Sequence, residues 1–184
     1  GDSISMHFGP YLEKRLADAW TYARKTGEEP GVAGLGDVAN PNGGDSSRVL
    51  AYLEARLETG DFRPDLLLLN CGLHDLKTDR ETGDKQVPLE AYAANLRSIS
   101  SKLLDAGIRT VWIRTTPVCE EWHGKNKPFD RFAADVDAYN RTADAIMREA
   151  GIPILDLHAL TASLDHPNEL MSDGVHFTDT TRQL

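Results

Sequence analysis

Apolar positions along the chain follow two patterns that alternate from one end to the other. In four segments apolar residues recur every three or four positions with charged residues between them, which predicts amphipathic helices. These segments are 10–25, from Ser46 or Ser47 to Gly60, 88–106 and 128–150. Three short, uninterrupted apolar runs predict strands buried on both faces. The three strands are 66–69, 109–115 and 152–157. The remaining elements are polar loops over 27–45 and 77–86 and a short helix near 158–164.

The alternation of strands and helices predicts an α/β fold, a three-layer α/β/α sandwich with a central, mainly parallel sheet of the flavodoxin-like kind. No repeat and no linker divides residues 1–184, so we expect a single domain. Both ends look abrupt, since no strand precedes Gly1 and the chain stops soon after His176. We therefore expect the domain to be truncated at both ends. In such sheets ligands bind beyond the carboxyl ends of the strands.

Composition and charge narrow the classes of partner. Apolar residues make up 40% of the chain, which is typical of a globular protein. No apolar run reaches the roughly 18 residues that span a bilayer. The net charge of −9 repels phosphate backbones, so nucleic acid is not an expected partner. Cys71 and Cys119 each follow an apolar run and lack C-x-x-C spacing, so we expect buried free thiols. Localisation and oligomeric state stay open.

A compact acid–base unit lies near the end of the chain, in the stretch 172–178. Asp173 precedes His176 by three residues with a glycine between them, so a turn lets the carboxylate reach the imidazole Nδ1–H. That contact fixes the tautomer and leaves Nε2 free to take a proton from a nucleophile. Ser3, in the sequence Gly-Asp-Ser, is the candidate nucleophile, which requires the two chain ends to meet. A second Gly-Asp-Ser ends at Ser46, which we interpret as a helix N-cap.

Four short blocks, spread over the chain, carry the candidate residues. They are Gly1-Asp2-Ser3-Ile4, Asn42-Gly43-Gly44-Asp45-Ser46, Gly72-Leu73-His74-Asp75 and Asp173-x-x-His176. In this order they resemble the blocks of the SGNH hydrolases, also called the GDSL esterase/lipase family. The resemblance implies a three-layer α/β fold and ester or thioester hydrolysis through an acyl-enzyme. It also implies that Ser3, Asp173 and His176 form the triad and that the N–H groups of Ser3 and Gly44 bind the oxyanion. We expect no metal and no cofactor.

The third block departs from that family, which normally has Gly-x-Asn-Asp where this chain has His74 in place of the asparagine. The usual asparagine donates an N–H to the developing oxyanion. A neutral histidine also donates one N–H, and a protonated one donates more strongly. We therefore expect His74 to replace the asparagine in the oxyanion hole and to add a pH dependence there.

The function predicted from these residues is hydrolysis of carboxylic esters of small acyl groups, with O-acetyl esters of carbohydrates as one substrate class. The chain is compact and carries no apolar lid insertion, which suits small acyl groups better than long lipid chains. Three alternatives stay open. They are a lysophospholipase or thioesterase of the same fold, a non-catalytic binding module, and a metal-dependent hydrolase built on His74, Asp75, Asp173 and His176. The chain lacks the H-x-x-x-H spacing typical of such a metal site.

Overall fold

The computed structural model describes residues 1–164 and 173–184, which form a parallel sheet flanked by helices. Within these residues the sheet has three strands, which are β1 Leu67–Leu69, β2 Thr110–Ile113 and β3 Ile154–Leu155. β2 lies in the middle and pairs in parallel with both neighbours, so that Leu69, Trp112 and Ile154 lie side by side. Each strand falls inside a segment predicted as a strand, and the predicted α/β class with a parallel sheet is confirmed.

The described residues also form seven α-helices. They are α1 Ser3–Leu16, α2 Ser46–Glu58, α3 Leu89–Asp105, α4 Glu120–Asn126, α5 Ala133–Glu149, α6 Leu157–Ala162 and α7 Asp179–Arg182. α3 packs against both α2 and α5. α1, α6 and α7 surround Leu68, Ile113 and Leu155 on one face of the sheet. Because side chains alternate along a strand, Leu69 and Trp112 point to the opposite face. The sheet therefore has a helical layer on each side.

The first helix lies earlier in the chain than the apolar spacing predicts, at Ser3–Leu16 rather than 10–25. Its N-terminus is capped by Asp2, whose carboxylate accepts the Ile4 N–H at 3.0 Å. The helix ends before Trp20, which the spacing places on the buried stripe but which is 44% exposed. The predicted bounds were wrong because the Asp2 cap makes the helix begin at Ser3, which the spacing of apolar residues over 10–25 does not indicate.

The N-cap of α2 is Asp45 and not Ser46, so that interpretation was wrong. The Asp45 carboxylate accepts the N–H groups of Ser47 and Arg48, each at 3.1 Å. Ser46 is the first helical residue, fully buried. Aspartate is as good a cap as serine, so the sequence alone does not decide between neighbouring candidates.

The segment predicted as one helix over 128–150 begins only at α5, Ala133–Glu149, and a separate helix, α4, precedes it. α4 is short and polar, so no apolar period predicts it. The Glu120 carboxylate of α4 accepts the Ala133 N–H at 2.7 Å, which supplies the cap that the residue before α5 lacks. That residue, Phe132, is 39% exposed rather than on the buried face.

The core between the sheet and the helices α2, α3 and α5 contains the largest buried side chains, including Trp112 and Tyr92. Cys71 and Cys119 are buried and free, as predicted. In the described part of the chain, no helix combines the length and apolar character that a bilayer span requires.

Candidate active site

Ser3 is the first residue of α1, directly after the capping Asp2. Asp2 is 1% exposed, and besides its bond to the Ile4 N–H its carbonyl accepts the Ser5 hydroxyl at 2.7 Å. These contacts fix the turn before Ser3, so its side chain is held at a helix N-terminus. The partial positive charge at that end of α1 favours negative charge developing nearby.

The structure brings Ser3, His176 and Asp173 together in one chain of hydrogen bonds. Ser3 Oγ lies 2.7 Å from His176 Nε2, and His176 Nδ1 lies 2.8 Å from Asp173 Oδ2. The other carboxylate oxygen, Asp173 Oδ1, accepts the N–H groups of Val175 at 3.1 Å and of His176 at 2.9 Å. With Nδ1–H donated to the carboxylate, Nε2 is the atom that can accept the Ser3 proton. Residue 172, which begins the acid–base stretch, lies outside the described residues.

Asp173 stays ionised in this arrangement. Burial alone would raise its pKa, but the backbone N–H and imidazole of His176 and the Val175 N–H donate to the carboxylate and hold the pKa below its usual range. Lys127 Nζ lies 3.4 Å from the same carboxylate. A charged Asp173 orients the imidazole and stabilises the imidazolium that forms when His176 takes a proton.

The turn that carries Asp173 and His176 is held against the start of α4. The Gly174 carbonyl accepts the Cys119 N–H at 2.8 Å. Gly174 has a φ of 82°. A Cβ there would lie 2.5 Å from the backbone nitrogen of His123 and 2.6 Å from the backbone oxygen of Cys119. Only glycine allows this backbone conformation and this close approach together. His123 itself is fully buried.

The loop containing Gly44 lies beside the start of the chain, because the Gly43 N–H donates to the Gly1 carbonyl at 2.9 Å. The Gly44 N–H donates to Asn42 Oδ1 at 3.0 Å. This N–H is therefore taken by a side chain of its own loop, and it binds an oxyanion only when Asn42 turns away. The role of Gly44 in the oxyanion hole stays a prediction.

His74 lies in the loop after β1 and is partly buried. Burial, followed by the charges of Lys77 and Arg131, lowers the pKa of His74 to about 3. Its imidazole is therefore neutral at neutral pH, and the pH dependence expected of it moves to about pH 3. Its ring has no hydrogen-bond partner among the described residues, so its N–H is free for a ligand. Its role in the oxyanion hole likewise stays a prediction.

Ser46, at the end of the second Gly-Asp-Ser, has a structural role. Its hydroxyl makes a short hydrogen bond to Asp75 Oδ1, and its backbone N–H donates to the same oxygen at 2.9 Å. Asn95 Nδ2 donates to the Ser46 hydroxyl at 2.9 Å. These bonds tie the start of α2 to the loop after β1 and leave Ser46 without access to a substrate.

Two residues near the triad were not singled out from the sequence. The His7 ring lies 4.9 Å from the His176 ring, between centroids. His7 follows Ser3 by four residues, so helical spacing finds it once α1 is known to begin at Ser3. Arg131 is 6% exposed and its charge faces Asp173. No local pattern indicates that the two charges lie near each other, because Arg131 belongs to a different part of the chain.

Two cavities lie beside α1, and one of them is lined by His7, whose ring packs against that of His176. One, of about 260 Å³, lies between α1, α6 and α7 over the sheet, and the other, of about 710 Å³, lies between α1 and the edge strand β1. Neither is lined by Ser3, Asp173 or His176. Within residues 1–164 and 173–184, no three side chains of the metal-binding types converge.

Comparison with known proteins identifies relatives of this chain. The family described as the GDSL-like lipase/acylhydrolase family matches over residues 1–184. The Homo sapiens protein named isoamyl acetate-hydrolyzing esterase 1 homolog is 29% identical over 115 residues, which are 58% of this chain and 46% of that protein. The proteins of the same name in Rattus norvegicus and Mus musculus match over similar shares of this chain and of their own length. This chain therefore spans about half the length of the curated relatives it matches.

Solved structures share the fold over nearly the whole chain. The acetyl xylan esterase AlAXEase has a TM-score of 0.66 at 14% identity, covering 98% of this chain and 84% of that one. The psychrotrophic esterase EstA from Pseudoalteromonas sp., in a structure inhibited by monoethylphosphonate, has a TM-score of 0.62 at 15% identity, covering 99% and 87%. At these identities the likeness concerns the fold.

Proposed function

The chain belongs to the GDSL-like lipase/acylhydrolase family, and we propose that it hydrolyses carboxylic esters of small acyl groups with Ser3 as the nucleophile. The observation that carries this proposal is the unbroken hydrogen-bond chain from Asp173 through His176 to the Ser3 hydroxyl. A serine hydroxyl is a weak nucleophile unless an adjacent base takes its proton, and here the base is in place and oriented.

The reaction follows from the geometry in two halves. Ser3 Oγ attacks the ester carbonyl while His176 Nε2 takes the hydroxyl proton, and the proton then passes to the departing alcohol. The product of this half is an acyl ester on Ser3. Water repeats the sequence, with His176 as base, to release the carboxylic acid and restore the serine. Asp173 stays ionised throughout and holds the imidazole.

The negative charge that develops on the carbonyl oxygen needs donors within reach of Ser3. The Ser3 N–H lies in the first turn of α1, where backbone N–H groups have no partner in the helix. His74 supplies a neutral N–H, and Gly44 supplies another once Asn42 releases it. We assign the oxyanion to these three donors.

Acetyl esters are the substrates that we favour. The name of the human relative refers to hydrolysis of isoamyl acetate, and one structural neighbour is an acetyl xylan esterase. Both names describe short acyl groups on an alcohol or a carbohydrate.

The test is a panel of esters from acetyl to palmitoyl, together with acetylated sugars, assayed with the wild type, Ser3→Ala and Ser46→Ala. We expect Ser3→Ala to lower kcat at least about 10,000-fold. Ser46→Ala should keep its activity, since the Ser46 hydroxyl is bound to Asp75. Activity that survives Ser3→Ala but not Ser46→Ala would overturn the assignment.

The same panel separates the alternatives. Higher kcat/KM for palmitoyl than for acetyl esters indicates a lysophospholipase or thioesterase. Activity abolished by a chelator indicates a metal-dependent hydrolase. Failure of a fluorophosphonate to label Ser3, measured by mass spectrometry of peptides, indicates a binding module without catalysis.

A further inference from the structure

Arg131 lies near Asp173 of the triad, and no acidic side chain among the described residues forms an ion pair with it. It is 6% exposed, and its Nε–H donates to the Leu73 carbonyl at 2.6 Å, which places the guanidinium next to His74. Its charge faces Asp2 and Asp173, but no described carboxylate lies within ion-pair distance, and its two terminal nitrogens have no acceptor among the described residues. Burial lowers the pKa of Arg131 to about 10, so the side chain is charged at neutral pH.

A second cation, Lys77, lies beside the same aromatic ring as Arg131. Lys77 Nζ and Arg131 Cζ each lie 5.0 Å from the centroid of Phe129. Lys77 follows His74 by one turn, and its backbone N–H donates to the His74 carbonyl at 3.4 Å. In the part of the chain that the structure describes, Lys77 has no carboxylate partner either. We call Lys77, Phe129 and Arg131 the basic rim.

The basic rim is unusual because carboxylates are plentiful in a chain of net charge −9. Two other partly buried cations use them, since Arg114 binds both Asp144 and Asp156, and Lys85 binds Asp135. Apart from the Leu73 carbonyl, the buried Arg131 guanidinium has no acceptor among the described residues to replace the water it has lost. An anionic ligand would supply the missing acceptors through charge-assisted hydrogen bonds.

We propose that Arg131 and Lys77 form a subsite for an anionic group, a carboxylate or a phosphate, carried by the ester substrate. The subsite lies on the His74 side of Ser3, and it rests on the proposed esterase function of that same site. Since the molecule as a whole is negative and repels anions at long range, the selectivity acts through contact at the rim. The preferred substrates are therefore esters that carry an anionic group rather than neutral ones.

The test uses three acetyl esters that differ in one group, namely 3-acetoxybenzamide, 3-acetoxybenzoate and 3-acetoxyphenyl phosphate. We expect the wild type to have a higher kcat/KM for one or both anionic esters than for the neutral amide, by about tenfold or more. The anionic ester with the larger increase in kcat/KM over the neutral amide shows whether carboxylate or phosphate is the recognised group. Equal or lower values for both anions would overturn the subsite.

Two variants and a matched control assign the preference to the rim. Lys77→Gln should lower the ratio of anionic to neutral kcat/KM about tenfold, mainly through KM, and Arg131→Lys should lower it as well because the two-pronged contact is lost. Lys125→Gln, on an exposed lysine paired with Glu121, should leave the ratio unchanged. If both rim variants lose activity equally on all three esters, the cations only balance Asp2 and Asp173, and the proposal is wrong.

Binding without turnover separates this proposal from the esterase function. In the Ser3→Ala variant, calorimetry should detect 3-acetoxybenzoate or 3-acetoxyphenyl phosphate binding more tightly than 3-acetoxybenzamide, and Lys77→Gln added to it should remove the difference. Esterase activity that depends on Ser3 but shows no charge preference refutes the subsite alone. Charge-selective binding without any hydrolysis by the wild type refutes the esterase function alone.

Discussion

At the scale of single residues, we propose that His74 takes the place of the asparagine that the family usually has in its oxyanion hole. We expect His74→Asn to retain most of kcat, because an amide N–H replaces an imidazole N–H. His74→Ala should lower kcat about 100- to 1,000-fold, because one oxyanion donor is removed. The measurement is kcat and KM for an acetyl ester with the three proteins side by side.

The pH profile adds a second readout for the same residue. Because burial and the charges of Lys77 and Arg131 hold the pKa of His74 at about 3, its ring is neutral from pH 5 to 8. Wild type and His74→Asn should therefore have pH profiles of the same shape over that range. Equal rates for all three proteins would show that His74 takes no part in the reaction.

Residues whose partners are close in sequence could be predicted, and residues with distant partners could not. Asp173 reaches His176 across three residues of one turn, so the pair is readable from the sequence. Arg131 binds the carbonyl of Leu73, 58 residues away, and no spacing in the sequence predicts such a contact. Ser3 was found only because its motif resembles a known block.

At the scale of elements, α4 fixes the turn that carries Asp173 and His176 through its contact with Gly174. Gly174→Ala places a Cβ against the backbone of Cys119 and His123 at a positive φ. The turn must shift, and a displacement of about 1 Å at His176 costs on the order of 100-fold in kcat. Kinetics with an acetyl ester, and thermal unfolding to measure stability, check this.

Gly107→Ala is the matched control for that variant. Gly107 has a φ of 69°, and its Cβ would meet nothing within 4 Å, so only the backbone strain is added. The free energy of unfolding of Gly107→Ala should be lower than that of the wild type by about 1 kcal/mol, and its kcat should be unchanged. If both glycine variants keep full activity, the contact between α4 and the turn does not position His176.

The element boundaries show which signals are readable from a single sequence. The strands and the helices α3 and α5 were predicted because each has a clear apolar period or run. α1 was misplaced because its boundary depends on the Asp2 cap, and α4 was missed because a short polar helix has no period. α4 exists through its contacts with α5 and the triad turn, which are tertiary.

At the scale of the whole molecule, Asp75 makes stability depend on pH. It joins α2 to the loop after β1 through Ser46, but its second oxygen is buried and has no hydrogen-bond partner among the described residues. Burial raises the pKa of Asp75 to about 7 in the folded protein, above about 4 in an unfolded chain. Its contribution is thus fully present below pH 4 and is lost as the pH rises through 7.

Asp75→Asn should remove this dependence, because the amide oxygen still accepts the Ser46 bonds and carries no charge. The free energy of unfolding of the variant minus that of the wild type should increase by about 2 kcal/mol from pH 5 to pH 8. Urea unfolding at the two pH values measures it, with the exposed Asp65→Asn as control. Asp173 does not interfere, since its lowered pKa contributes only in more acidic solution. If the difference in free energy of unfolding between variant and wild type is the same at both pH values, Asp75 is not the source of the pH dependence.

The hydrogen bond between Ser3 and His176 joins residues 173 positions apart. A ribosome making this chain therefore releases the nucleophile long before the base that activates it. If Ser3 and His176 act as we propose, a nascent chain that has not yet released residues 173–176 does not react with esters. On the same proposal, labelling of Ser3 by a phosphonate reports the fraction of molecules in which the turn carrying His176 has docked against the start of α1.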